Sequence, residues 1–321
     1  MSAHRIEELD FLKCVMIVLM VAFHLVYIGD SFPAAKEFVY TFHMPVFLMI
    51  SGYLMNVQKA TSAFLRNILF FIIPYVIMES GYTFMASLLP IREHIDNLTI
   101  SVFFDKLFLH PLGPYWFLHT LIICGLTYFA SFRIPVIERT IHNKTPLSVL
   151  TTLGRIIAMG ILLFLLSQAG FLSFTMAFYF LIGVTLRNTE TDFINFFHPS
   201  WLSLPALLLF PLLHKNIPFG DLLTVYLIIS FLLVLFPHIS YRYRQLLLFL
   251  GRNTLPIYLF SPIFTILCKS LVVPLSFDPT KILFLVSSLI ACISGSLAIA
   301  FAMDLCRVSP FFFGSEKILK K

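Results

Sequence analysis

Two residues in the first apolar stretch are of types that can do chemistry: Lys13 and His24, eleven positions apart in Leu12-Lys13-Cys14 and Phe23-His24-Leu25. At about 100° per residue this spacing closes roughly three turns, so both side chains leave one face of a helix, about 16 Å apart along its axis. An ionisable group inside a membrane helix is expensive to place and marks a functional position by default. An imidazole titrates near neutral pH and can take a proton from a hydroxyl, the work of a general base. Asp10, three residues before Lys13, shares the stripe and can pair with it.

Further polar residues fall at the ends or breaks of other apolar stretches. The second reads Tyr40-Thr41-Phe42-His43-Met44-Pro45, then Ser51-Gly52-Tyr53. Pro45 is expected to loosen the helix beside His43, placing a second imidazole on the same cavity as His24. Ser51 and Gly52 are small enough for close helix contact. Arg66 opens the third stretch, where a guanidinium can hold a phosphate or simply anchor the helix. Arg155 and Arg252 are placed similarly. Trp116 and His119 begin the fourth stretch, where an indole suits an interfacial belt or the face of a sugar. Tyr258 and Ser261 share a stretch with Pro256 and Pro262, the pattern of an irregular helix lining a cavity. Glu79 is the one acid in mid-stretch, its role open between a cavity and a basic partner, and that of Arg155 is equally open.

The elements that must position these groups are membrane helices. Of 321 residues 59% are hydrophobic and 12% charged, with 37 Phe and a mean hydropathy of +0.92; water-soluble domains carry about 25% charged residues. Apolar runs long enough to span a bilayer recur along the chain. The fold class is therefore all-α, a polytopic helical bundle forming one domain over 1–321, with no separate soluble domain. About ten spans are expected, near 9–29, 37–56, 64–88, 114–132, 147–167, 170–187, 200–214, 219–237, 246–270 and 282–306. With both termini cytoplasmic, sixteen of the 22 Lys and Arg fall on the inner side, as the positive-inside rule requires. The net charge of +6 is explained by this orientation, and nucleic acid is not an expected partner. The N-terminal run is too long for a cleaved signal peptide and lacks its exit site. Cys14, Cys124, Cys268, Cys292 and Cys306 have no paired spacing and read as small buried hydrophobes. No zinc pair, phosphate-binding glycine loop or nucleophile elbow is present, so no metal is expected.

The ordered set of blocks resembles membrane-bound acyltransferase family 3, within it the fucose 4-O-acetylase-like bacterial branch. The residues that carry the resemblance are Arg5 with Asp10-Phe11-Leu12-Lys13 and His24; Phe42-His43-Met44-Pro45 with Ser51-Gly52-Tyr53; Phe64-Leu65-Arg66 with Pro74-Tyr75; Trp116-Phe117-Leu118; and Leu250-Gly251-Arg252-Asn253-Thr254 with Ile257-Tyr258-Leu259. The resemblance implies transfer of an acyl group, usually acetyl from cytoplasmic acetyl-CoA, to a hydroxyl of a surface or exported glycan, at a bacterial inner membrane. It implies His24 as the catalytic residue and Lys13 and Arg66 as donor-binding, with Arg252 beside them. Asp10, His43, Ser51, Trp116, His119 and Tyr258 are then acceptor or cavity residues. Two departures stand out: Phe70 and Phe71 lie where the family often has a second arginine, and Ser261 where it often has a histidine. The alternative function is an exporter or flippase of a polysaccharide or lipid-linked sugar. The acyl group (acetyl or succinyl), the glycan and a homo-oligomeric state are left open by the sequence.

Overall fold

The computed structural model describes residues 5–58, 60–88, 93–133, 146–209 and 220–320. Lys59, Arg92, Arg139, Lys144, Lys215 and Lys321, which enter the charge asymmetry, and the interior of the inner loop expected at 133–146 lie outside the described residues. Every regular element among the described residues is helical. In chain order these are α1 (Glu7–His24), α2 (Val26–Ser31), α3 (Pro33–Tyr40), α4 (His43–Leu54), α5 (Thr61–Leu88), α6 (Ile100–Phe108), α7 (Trp116–Arg133), α8 (Pro146–Gln168) and α9 (Phe174–Asn188). There follow α10 (Phe193–Phe197), α11 (Ser203–Leu209), α12 (Gly220–Leu235), α13 (Tyr241–Arg252), α14 (Thr254–Leu267), α15 (Ile282–Leu305) and α16 (Ser309–Phe313).

Among the described residues six helical stretches are long and apolar enough to cross a bilayer: Thr61–Leu88, Gly113–Arg133, Leu150–Gln168, Gly220–His238, Thr254–Leu271 and Ile282–Leu305. The other expected spans differ for identifiable reasons. α1 is 18 residues long, about 27 Å, but Glu7, Glu8, Asp10 and Lys13 dilute its hydropathy. The expected span 37–56 divides at Thr41-Phe42 into α3 and the 12-residue α4. α9 has 15 residues, and α11 is described only to Leu209. The outward faces are plainly lipid-like. On α8, Leu153, Ile157, Ile161 and Leu165 are exposed together, a stripe that water would not tolerate but hydrocarbon does.

The chain forms two compact units. The first comprises Met1–Phe47, Asp192–Pro310 and Glu316–Lys321; the second comprises Leu48–Thr191 and Phe311–Ser315. In the first unit α1 is central, packing along α13 and against α14, α15 and α12. Phe11 of α1, Phe236 and Leu248 form a buried cluster, with the Phe11 and Phe236 ring centroids 5.2 Å apart. Burial of α1 explains how it keeps ionisable residues: they pair with one another, with Arg5 just before the helix and with Arg252 of α13, away from lipid.

Lipid gives helices no hydrophobic reason to associate, so close backbone approach must hold them. Gly251 of α13 supplies one such approach, because a Cβ there would stand 1.8 Å from the Asp10 carbonyl oxygen. The second unit repeats the device. A Cβ on Gly52 would meet the Phe180 carbonyl oxygen at 2.2 Å, and one on Gly183 would meet the Met49 carbonyl oxygen at 2.0 Å. The close contact expected at Ser51-Gly52 is therefore the seam between α4 and α9.

Three expectations need correction. Pro45 does not loosen a helix; it lies in the first turn of α4, where its missing N–H leaves no bond unmade. The span expected at 246–270 is two helices, parted at Asn253. Cys306 is exposed at the end of α15, while Cys14, Cys124, Cys268 and Cys292 are buried as expected.

Candidate active site

One end of α1 carries a charged cluster. Asp10 is 3% exposed and takes three cations: Arg5 Nε at 2.5 Å, Lys13 Nζ at 2.7 Å and Arg252 Nε at 3.6 Å. The Asp10–Lys13 pair expected from their spacing forms, though buried within the bundle instead of on a helix surface. Arg252 reaches it because Gly251 brings the last turn of α13 onto α1.

The chain then breaks at the fully buried Asn253, whose amide pairs with a peptide group 67 residues away. Its Nδ2 donates to the Phe249 and Lys320 carbonyls at 2.8 and 2.9 Å, and its Oδ1 accepts the Lys320 N–H at 2.8 Å. Asp304 fixes the same tail, accepting the Ile318 and Leu319 amides at 2.9 and 3.1 Å. Lys320 is thereby folded toward the cluster. Burial, then the charges of Lys13 and Arg5, push its ammonium below the usual lysine range, against a smaller pull from Asp10. Three basic side chains thus pair with one carboxylate, an arrangement suited to an incoming anion. Lys320 is absent from the residues expected on sequence grounds, and nothing near it in the chain signals the role.

The other end of α1 carries two imidazoles. α1 stops at His24 because Leu25 is extended, at φ −68° and ψ 104°. The Nδ1–H of His24 donates to the Met20 carbonyl at 2.7 Å; a carbonyl can only accept, so the proton is on Nδ1 and Nε2 carries the lone pair. His43 repeats the pattern, its Nδ1–H donating to the Val39 carbonyl at 2.8 Å. Tyr40 lies between them, its ring centroid 5.7 Å from that of His24 and 5.1 Å from that of His43. The Tyr40 hydroxyl donates to the Phe23 carbonyl at 3.4 Å, and Lys36 Nζ stands 5.8 Å from the ring centre. The structure therefore brings the two expected histidines together around a tyrosine that no local pattern singles out. Tyr258 and Ser261 are buried on α14.

The remaining candidates belong to the second unit. Arg66 is exposed on α5, and Ser51 and Trp116 are half-buried. His119 is buried, its Nε2–H donating to the Phe108 carbonyl at 2.8 Å and its ring centroid 5.7 Å from that of Tyr75. That bond holds the end of α6. Glu79 is wholly buried; its Oε1 accepts the Leu112 amide at 2.6 Å, fixing the chain before Gly113, whose φ is +58°. Arg155 donates to the Phe132 carbonyl at 3.3 Å. It serves the end of α7, where unpaired carbonyls favour a cation. Among the described residues no three His, Cys, Asp or Glu side chains gather as a metal site.

Apolar helices with lipid-facing stripes define a multi-pass membrane protein, and its buried α1 is charged at one end and imidazole-bearing at the other. The profile of acyltransferase family 3, described as an acyltransferase domain, matches residues 6–301, and the chain belongs to this family. It is a membrane acyltransferase. No curated protein and no solved structure matches the chain.

Proposed function

We propose that the protein is an O-acetyltransferase of the bacterial cytoplasmic membrane, moving acetyl from cytoplasmic acetyl-CoA to a hydroxyl of a surface or exported glycan. About ten spans with both termini inside would place the Asp10 cluster at the cytoplasmic rim. The donor's phosphates would engage Lys13, Arg252 and Arg5. The thioester would reach toward His24, about 16 Å along α1. The acceptor would enter from the opposite side, past His43.

The carrying observation is the hydrogen bond from His24 Nδ1 to the Met20 carbonyl. It orients the ring and leaves the Nε2 lone pair available to act as the base. Nε2 would take the acceptor's hydroxyl proton as the oxygen attacks the thioester carbonyl. The carbonyl–sulfur bond then breaks, the ester forms, and the imidazolium returns its proton to the departing thiolate. Pairing of Asp10 with Arg5, Lys13 and Arg252 would keep the cationic end ordered before the donor arrives.

Deleting the gene and analysing the exported glycan by mass spectrometry tests this reading. Loss of O-acetyl esters from a glycan exported in normal amount supports it; loss of export itself would favour the exporter or flippase alternative.

A further inference from the structure

Beyond His24 the first unit contains a cavity of about 540 Å³ that begins at Leu25, the next residue. Its polar lining comes from Tyr27, Asp30, Ser31, Thr265, Lys269 and Lys281, with Phe284 on the apolar side. The cavity is thus a partly open pocket, apolar over most of its surface, with hydroxyls, two aromatic rings and two ammonium groups in its lining. Such a lining suits a sugar, whose ring faces pack on aromatic carbon while its hydroxyls seek polar partners.

Lys281 is the informative residue. Its ammonium lies 4.8 Å from the Tyr27 ring centre and donates to the Ser31 hydroxyl. Among the described residues it has no carboxylate within ion-pairing distance, nor has Lys269. The neighbouring acid, Asp278, is committed elsewhere: its carboxylate accepts the Thr280 and Leu283 amides, each at 2.9 Å. Lys281 caps the start of α15 at φ +60°, a left-handed conformation that non-glycine residues rarely adopt. Asp30, the one acid of the lining, stands 3.9 Å from Lys36 Nζ. That lysine in turn faces the Tyr40 ring stacked on His24. Adjacent contacts therefore join the chamber to the histidine.

We infer that this cavity seats the acceptor and that the acceptor bears an anionic group, a carboxylate or phosphate on the glycan, held by Lys281 with Lys269 beside it. This rests on the acyltransferase reading of the same site and narrows it to acidic glycans. A charge-assisted contact to an ammonium is worth enough to change affinity by about tenfold or more.

The test is binding, measured on full-length His24→Ala protein in phosphatidylcholine nanodiscs, so that it does not depend on turnover. The probes are trigalacturonic acid, the neutral galactose trisaccharide and a galactose trisaccharide phosphate. The expected result is tighter binding of one or both acidic probes than of the neutral one. Lys281→Gln should weaken that binding about tenfold, and Lys281→Arg should retain most of it. Carboxylate and phosphate sources are separated by which probe responds to Lys281. Equal binding of acidic and neutral probes would overturn the proposal. So would unchanged acidic-probe binding in Lys281→Gln, or displacement of the acidic probe by phosphatidylglycerol added to the nanodisc. Failure of the acyltransferase reading shows separately, as no transfer of labelled acetyl to any acceptor by the unsubstituted protein.

Discussion

Gly251 and Asp10 touch backbone to backbone: a single Cβ on the glycine would stand 1.8 Å from the aspartate carbonyl oxygen. Through this contact α13 delivers Arg252 to the buried carboxylate. Replacing Gly251 with Ala must push the helices apart, since the obstacle is backbone and cannot rotate away. Overpacking of this kind costs about 1–3 kcal/mol or more. The expected outcome is a lowered Tm of purified protein and a raised KM for acetyl-CoA, read by thermal unfolding in detergent and by labelled-acetyl transfer.

Asp10→Asn removes the carboxylate that Arg5, Lys13 and Arg252 share. Breaking a fully buried pair by deleting one partner costs about 3–5 kcal/mol, and less is expected here because Arg5 is half exposed and solvent screens it. A clear fall in Tm is expected. Arg252→Gln added to Asp10→Asn should restore part of it, since one repelling cation is then gone. Strictly additive losses in this double-mutant cycle would show that the two side chains do not interact.

Asn253→Ala should free the chain end. It removes the two-way bond to the Lys320 peptide group and leaves buried polar groups unpaired, a loss of about 1–3 kcal/mol. Hydrogen exchange at Ile318, Leu319 and Lys320 should accelerate roughly tenfold, while the centre of α15 stays protected. Unchanged exchange at the tail would mean that Asp304 alone holds it.

In the second unit, Gly183→Val should separate α9 from α4, because the obstacle is the Met49 carbonyl at 2.0 Å from even the first added carbon. Loss of monodisperse protein on gel filtration is the expected readout. Ile157→Ala, on the exposed lipid face of α8, serves as the control and should remain monodisperse.

The course of α1 was legible because apolar content and the Lys13–His24 spacing are local properties, and both residues do lie on one continuous helix. The Asp10–Lys13 pair followed for the same reason. The stop at Leu25 was not legible, since Val26, Tyr27 and Ile28 continue the apolar run and only the packing of α2 and α3 turns the chain. Asn253 illustrates the same limit: its break is compensated by a peptide group in the tail, a tertiary event with no trace in the neighbouring residues. Pro45 misled because proline has one meaning inside a helix and another in its first turn. The histidine pair was half-visible, each imidazole conspicuous alone, while the Tyr40 ring between them emerged only when α3 folded back toward the end of α1.

The central claim is that His24 Nε2 is the base. The most direct measurement is labelled-acetyl transfer from acetyl-CoA to the glycan acceptor by purified His24→Ala, with monodispersity and donor binding checked beside it. The expected result is a rate lowered about 10²–10⁴-fold, the usual share of a general base, with folding and donor affinity retained. Transfer at the unsubstituted rate would contradict the mechanism.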